Sequence, residues 1–451
     1  METTICAVST AVGTGAISII RCSGPEAIKI VNKFYKGSDL TKVSSHTVNY
    51  GYIIHKGEII DEVLVSIMHA PKTFTTEDVV EINSHGGIST TNKILELLLA
   101  NGCILAEPGE FTKRAFLNGR IDLLKAEAVG DIIASETEKA RNLAINQITG
   151  RLTQKIENIR AKTLTTQANI EVNVDYPEYE DIKEITNDIL KPSLIEIKEE
   201  LEQLLKDSDL GKLIKHGIDI AIIGQPNVGK SSILNTLLDE NKAIVTDIPG
   251  TTRDVIEGKI ILDGIVLNII DTAGIRKTEN IVEKIGVDKA KELAIKADLI
   301  IYVVDNTAKD FKEDLKFLDS QKDKKVIVFV NKDDLNSKND YQGFKKYHLV
   351  KGNTLNIEGL AELKAKISEL FNFKYLETKD YSYLSNARQI ALVILAIKAI
   401  NHALDGIKDN IPIDMLTIDL KTCYEYLGEI IGETYKEDLL AELFSRFCLG
   451  K

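Results

Sequence analysis

The sequence predicts a mixed α/β and α protein. An α+β N-terminal domain is followed by a helical domain made of two separated stretches, with a doubly wound α/β domain inserted between them. Three observations carry this. A strand, a Gly-rich loop (Gly224-Gln225-Pro226-Asn227-Val228-Gly229-Lys230-Ser231) and a helix follow one another in the middle of the chain. Strand and helix patterns alternate around that unit, from residue 217 to about residue 372. On both sides of it apolar residues recur at three- and four-residue spacing, the mark of packed helices.

At 451 residues the chain exceeds what one core can hold. Its 44% hydrophobic and 27% charged residues are those of an ordinary globular protein, and no apolar run reads as a membrane span. Five scattered cysteines form neither a metal-ligand spacing nor a disulfide framework, which predicts a reducing, cytoplasmic setting. The N-terminal residues carry no secretory pattern. A net charge of −12 excludes a broad basic footprint for nucleic acid, although not a local one.

Taken in order, residues 16–22, 47–54 and 59–68 read as strands and 90–100 as a helix, giving an α+β domain over residues 1–118. Helical periodicity runs through 123–148, 156–172 and 189–205, with an acidic, Pro-bearing loop at 175–188; this is the first part of the helical domain, 119–210. The inserted domain, 211–374, has nearly all-apolar strands at 218–223, 254–262, 265–270, 299–304, 326–330 and 347–350, as buried sheets do. Helical pattern returns at 384–404, 415–431 and 437–447, completing the helical domain over 375–451.

The Gly-rich loop is a phosphate cradle. Its backbone N–H groups face inward at a helix N-terminus, Lys230 reaches the outer phosphates, and the Ser231 hydroxyl helps to hold Mg²⁺. Asp271-Thr272-Ala273-Gly274 follows an apolar strand, where the carboxylate can bind Mg²⁺ through water and the Gly N–H can meet a γ-phosphate. Between them Gly250-Thr251-Thr252-Arg253-Asp254 offers a hydroxyl to complete the Mg²⁺ shell. Asn331-Lys332-Asp333-Asp334 ends another strand; its carboxylate can accept from guanine N1 and the exocyclic amine, a pattern adenine inverts, so the motif selects GTP. The Ser-Ala motif expected near the end of such a domain is absent, and residues 351–354 stand nearest to its place. The Gln that orients water in Ras-like GTPases is replaced by Ile275, which points to Glu283 as the water-orienting carboxylate. Asn227 places a side-chain oxygen beside the phosphates, where a monovalent cation could take the role of an arginine finger.

Together with the C-terminal Phe447-Cys448-Leu449-Gly450-Lys451, these motifs make the whole chain resemble the MnmE (TrmE) family of tRNA-modification GTPases. The resemblance implies a Ras-like G domain, inserted in the helical domain, that hydrolyses GTP when G domains dimerise. GTP would be held by Asn227, Val228, Gly229, Lys230, Ser231 and Ser232, by Thr246, Asp247, Ile248, Pro249, Gly250, Thr251 and Thr252, by Asp271, Thr272, Ala273 and Gly274, and by Asn331, Lys332 and Asp334. It implies Mg²⁺ on Ser231 and Thr252, K⁺ on Asn227, Thr246, Ile248 and Thr251, and Glu283 as the catalytic carboxylate. The N-terminal domain would bind 5,10-methylene- or 5-formyl-tetrahydrofolate through Arg21, Glu81, Arg120 and Lys451 and form a constitutive homodimer; the family often carries Lys where this chain has Arg120. Arginine suits a folate glutamate tail and a carboxylate suits the pterin edge. The implied partner is the FAD-dependent MnmG, in a heterotetramer or larger complex. The implied reaction adds an aminomethyl or carboxymethylaminomethyl group to C5 of the tRNA wobble uridine, and no membrane is involved. The alternative is a GTP-dependent ribosome or ribonucleoprotein assembly switch. Such switches share the loops but lack the folate-like first domain and the Cys-x-Gly-Lys ending.

Overall fold

The structure is a computed structural model, and it describes residues 2–175, 187–240, 256–270, 283–321, 324–335, 339–355, 357–373, 381–435 and 437–451. Its contacts divide the chain into two compact units. The first holds Met1–Ala134, Ala144–Gln203 and Ala387–Lys451; the second holds Ser135–Leu143 and Leu204–Asn386.

The first unit begins with a seven-stranded sheet in the order β3-β4-β5-β6-β2-β1-β7. The strands are β1 (Ile5–Val8), β2 (Ile17–Ser23), β3 (Tyr35–Lys36), β4 (Thr47–His55), β5 (Glu58–Met68), β6 (Val79–His85) and β7 (Ile104–Leu105). All neighbours are antiparallel except β1 and β7. Alternating side chains give the sheet two unlike faces. On one face Ile20, Val65 and Ile82 pack with Ile94, Leu97 and Leu98 of helix α2 (Ile88–Ala100), beneath α1 (Ala27–Asn32). On the other, Val48 and the directly opposed pair Tyr50 and Leu64 stay exposed. The short strands β1 and β3 escaped the sequence pattern because so few residues show no period.

After α3 (Glu110–Leu117) the helices follow: α4 (Leu123–Ala134), α5 (Glu138–Ile148), α6 (Arg151–Asp175) and α7 (Asn187–His216). The run expected as one helix over 123–148 is therefore two. Thr137 Oγ1 accepts the N–H of Ala140 at 3.2 Å and starts α5 afresh. An N-cap threonine is invisible to an apolar count, although it favours a helix start. Most of the loop expected at 175–188 lies outside the described residues.

Chain re-entry is tied by a buried polar knot. Helix α4 presents Glu127, which accepts from Arg388 Nε at 3.0 Å and from Gln389 Nε2 at 2.6 Å. The same Arg388 donates to the carbonyls of Glu429 and Ile430. Those carbonyls end α13 (Leu416–Ile431), so the cation also satisfies a helix C-terminus. A second knot sets the buried Arg160 of α6 in a fork on Glu433, 4.2 Å from the Tyr424 ring centroid. The helix Ala387–Lys408 passes the length and hydropathy test for a membrane span, contrary to the sequence expectation. It is a core helix: Leu392, Val393, Ala396, Ile400 and Ala403 are buried.

The second unit is a six-stranded sheet in the order β13-β12-β11-β8-β10-β9. Its strands are β8 (Ile218–Gly224), β9 (Ile256–Leu262), β10 (Ile265–Ile270), β11 (Leu299–Asp305), β12 (Lys325–Asn331) and β13 (His348–Lys351), close to the expected bounds. Only the β9–β10 hairpin is antiparallel. Alternate residues feed two cores. Ile220, Ile222 and Phe329 meet α8 (Lys230–Glu240) and α11 (Ala361–Leu370), while Ala221, Ile223 and Tyr302 meet α9 (Glu283–Lys296) and α10 (Lys312–Asp319). Helices on both faces of a nearly parallel sheet make this a doubly wound, Ras-like domain. The remaining labelled helices are α12 (Ala387–Lys408) and α14 (Glu437–Ser445).

Removing Glu127, itself buried, leaves the half-buried Arg388 charge without its carboxylate. Glu127→Ala should lower stability by about 3 kcal/mol, against under about 1 kcal/mol for Lys259→Ala, whose pairing with Glu136 is exposed. Denaturant titration followed by helical circular dichroism checks this; equal losses would defeat the burial argument.

Candidate nucleotide and N-terminal sites

The phosphate loop is shaped by two unusual backbone positions. Asn227 has φ +63°, a left-handed conformation that Asn tolerates better than most residues. Gly229 has φ +101°, and a Cβ there would lie 2.1 Å from Asn331 Nδ2, so only glycine fits. Helix α8 opens at Lys230. Lys230 Nζ donates to the Gly224 and Gln225 carbonyls at 2.9 and 2.7 Å, which folds the side chain over its own loop. Burial pushes this ammonium below the usual lysine range. Ser231 follows in the first turn of α8, where a hydroxyl can join a Mg²⁺ shell.

The guanine-reading strand is bonded to this loop. Asn331, at the end of β12, donates through Nδ2 to the Val228 carbonyl at 2.8 Å, and its buried Oδ1 has no partner among the described residues. Lys332, at φ +64°, reaches Asp305 Oδ2 at 2.5 Å. Against the effect of burial, Lys332 and Thr307 hold the Asp305 carboxyl below its ordinary range. Asp334 is exposed. Where Ser-Ala was missing, Gly352 donates to Val330 O and accepts from Asp333 N, each at 3.0 Å. A Cβ at Gly352 would come within 2.2 Å of Gly359 O, which explains why no alanine stands there.

The sequence reading missed Asp305 and Asn306. Asn306 is buried and donates to the carbonyls of Leu335 and Lys332 at 2.7 and 3.3 Å, bracing the loop that carries Asp334. Their signal was the polar pair ending an all-apolar strand. Residues Thr246, Asp247, Ile248, Pro249, Gly250, Thr251 and Thr252, and Asp271, Thr272, Ala273 and Gly274, lie outside the described residues. Glu283 begins α9, and its side chain is also outside them.

In the first unit the structure gathers three of the four residues expected at one pocket. Arg21 and Glu81 are cross-strand partners on β2 and β6, with Arg21 Nε and Nη2 both 2.8 Å from Glu81 Oε1. The Cys-x-Gly-Lys segment lies against them. Gly450 O accepts from Arg21 Nη1 at 3.2 Å and from Ser9 Oγ at 3.1 Å, and Lys451 O accepts from Phe111 N at 3.2 Å. Gly450 needs to be glycine: its φ is +83°, and a Cβ would lie 2.4 Å from Val8 O. Arg120 stands apart. It donates to Phe74 O at 3.0 Å, covers the Phe74 ring, and borders a cavity of about 520 Å³ with Lys72, Thr76 and Asn118. Arg21 lies over Phe111, and Phe74, which Arg120 covers, packs against the small apolar cluster of Ile5, Ala7, Ala106 and Phe111. His85 is held by Asp61 Oδ1 at 2.7 Å on the exposed end of β6.

A doubly wound sheet with a phosphate loop bonded to a guanine-selective strand end defines a GTP hydrolase. Models of known families match nearly the whole chain: the TrmE N-terminus (described as a GTP-binding protein) over residues 4–120 and the MnmE helical domain over 123–448. The tRNA modification GTPase MnmE of Bacillus licheniformis is 50% identical over 99% of this chain and 100% of its own. Its Bacillus subtilis counterpart is 49% identical over the same shares. Among solved structures, the FeoB G-domain from Methanococcus jannaschii is 28% identical over 34% of this chain and 98% of that one, with a TM-score of 0.26. The chain belongs to the MnmE family of tRNA modification GTPases.

Asp334→Asn should weaken GTP binding at least tenfold and favour xanthosine triphosphate, since an amide donates where the carboxylate accepted. Competition with a fluorescent nucleotide checks it; unchanged guanine preference would remove Asp334 from the base site.

Proposed function

We propose that this chain is a K⁺-dependent GTPase that works with an FAD-dependent partner, MnmG, to build an aminomethyl or carboxymethylaminomethyl group on C5 of the tRNA wobble uridine. Full-length identity of about half to MnmE proteins carries the reading. The four stretches 1–118, 119–210, 211–374 and 375–451 divide the work into one-carbon binding and dimerisation, helical support, GTP hydrolysis, and helical support with the Cys-x-Gly-Lys segment.

In the G domain, Ser231 and Thr252 would hold Mg²⁺, which neutralises charge on the phosphates. Asn227, with Thr246, Ile248 and Thr251, would hold K⁺ beside the β- and γ-phosphates. The left-handed, exposed position of Asn227 at the loop rim supports that role, because a side chain unneeded for phosphate binding is presented there. Lys230 would leave its two loop carbonyls for the outer phosphates, and Glu283 would orient the attacking water in place of the Gln that Ile275 displaces. Hydrolysis would follow G-domain dimerisation.

In the N-terminal domain, Arg21, Glu81, Arg120 and Lys451 would bind 5,10-methylene- or 5-formyl-tetrahydrofolate, the one-carbon source. Two cations, each over a phenylalanine ring at the edge of one apolar cluster, suit a ring with an anionic tail. The exposed Val48, Tyr50 and Leu64 on the open face of the sheet support a homodimer formed through this domain.

GTP hydrolysis should rise at least tenfold in K⁺ over Na⁺ and lose that preference in Asn227→Ala, while Glu283→Ala should slow turnover with GTP affinity kept. Equal rates in the two salts would refute the cation site, and a large affinity loss would move Glu283 from water orientation to binding. Arg21→Ala should weaken 5-formyltetrahydrofolate binding more than tenfold by calorimetry with GTPase rate unchanged; an unaltered affinity would displace the pocket.

A further inference from the structure

The cavity of about 520 Å³ beside Arg120 has a wall that folding fixes in advance. That wall is the connection between β5 and β6, and side-chain bonds hold it. Thr73 Oγ1 donates to Glu77 O at 2.7 Å, Asn118 Nδ2 donates to Thr75 O at 2.6 Å, and Arg120 Nη1 donates to Phe74 O at 3.0 Å. The Arg120 guanidinium is centred 5.0 Å from the Phe74 ring, and both line the cavity. Two further lining residues, His46 and Thr76, have φ of +61° and +63°. A β-branched residue in the left-handed region is an outlier, and such positions gather at ligand clamps.

Charge sets this cavity apart from the rest of the chain. Acidic residues outnumber basic ones by 68 to 56 overall, yet the lining holds Lys72, Arg120 and His46 and, among the described residues, no Asp or Glu. Neither Lys72 nor Arg120 has a carboxylate partner among the described residues. Other arginines of the same domain are paired: Arg21 with Glu81, and Arg114 with Glu77 and Glu110. Two uncompensated cations in a concave wall focus a positive potential. The volume falls within the roughly 300–1,000 Å³ of small-molecule sites.

We propose, resting on the folate reading of the N-terminal domain, that this cavity takes the oligo-γ-glutamyl tail of a polyglutamylated tetrahydrofolate, with Lys72 pairing with glutamates beyond the one at Arg120. Each added γ-glutamyl unit brings one carboxylate and no cation, so a longer tail supplies the counter-charge that Lys72 lacks. A monoglutamate ends at Arg120 and leaves Lys72 unpaired. Lys72 is therefore the residue that sets preference for tail length. An RNA backbone would instead need a stripe of cations along a face. Here they are confined to one concavity of a chain with net charge −12.

Calorimetry on the full-length protein, with 5-formyltetrahydrofolate as its monoglutamate and its pentaglutamate, tests this. The pentaglutamate should bind about tenfold more tightly, as a few partly exposed charge pairs allow. That preference should fade in about 1 M salt, where charges are screened within about 3 Å. Lys72 is exposed, so its replacement leaves the fold intact. Lys72→Glu should abolish the preference with monoglutamate affinity and GTPase rate unchanged, and Lys72→Arg should keep it. Equal wild-type affinity for the two forms would overturn the tail site and leave the folate reading standing, whereas binding of neither form would overturn both. A preference that survives Lys72→Glu would remove the tail from this cavity. Free penta-γ-glutamate binding as tightly as the pentaglutamate folate would reduce the cavity to a general anion site and defeat the proposal. Loss of tRNA affinity in Lys72→Glu with the pentaglutamate preference intact would assign the cavity to nucleic acid and also defeat it.

Discussion

The helical core is assembled from stretches that the G domain separates, and one contact makes that possible. Glu127 on α4 accepts from Arg388 and Gln389, the first residues of α12 after the chain re-enters. Arg388 then closes the carbonyl end of α13. With α13 so placed, Arg160 can fork onto Glu433, and the chain beyond it can return to the N-terminal sheet. The segment at Gly450 reaches Arg21 only because that sequence of contacts holds.

The nucleotide site rests on a similarly small number of atoms. Asn331 bonds the end of β12 to the phosphate loop, so folding itself holds these two motifs in register. Gly229 makes the bond possible by leaving no side chain in its path. Lys230 meanwhile satisfies its charge on carbonyls of its own loop. This is preorganisation: the geometry is set by folding, and the ligand's main demand is to replace weak lysine contacts with stronger ones.

Much of this was legible in the sequence because the G-domain strands are buried on both faces and read as apolar runs. The six strands appear within a few residues of their expected bounds, and the phosphate loop and the Asn331–Asp334 motif fall at strand ends, where doubly wound sheets hold ligands. Short strands such as β1 and β3 have too few residues to show a period. The Thr137 break was illegible because a cap residue does not disturb apolar spacing. Arg21 and Glu81 were named through the family resemblance alone; it is strand register that sets them opposite each other. The separation of Arg120 from them goes with its seat on Phe74, a three-dimensional fact with no sequence pattern. The membrane-like composition of α12 misleads in the opposite direction, since a core helix and a lipid-facing one share the same letters.

The bond between Arg21 and Gly450 joins residues 429 positions apart. A ribosome adding residues at roughly 5–20 per second therefore releases the N-terminal sheet well before Gly450 exists. In that interval Arg21 is not left without a counter-charge, because Glu81 emerges early and sits across the strand. The Arg21–Glu81 pair is thus made from neighbouring strands first, and the Gly450 carbonyl joins it only after the helices and the G domain that lie between have been synthesised. A chain that stalls inside the G domain would carry the Arg21–Glu81 pair without the carbonyl that later caps it.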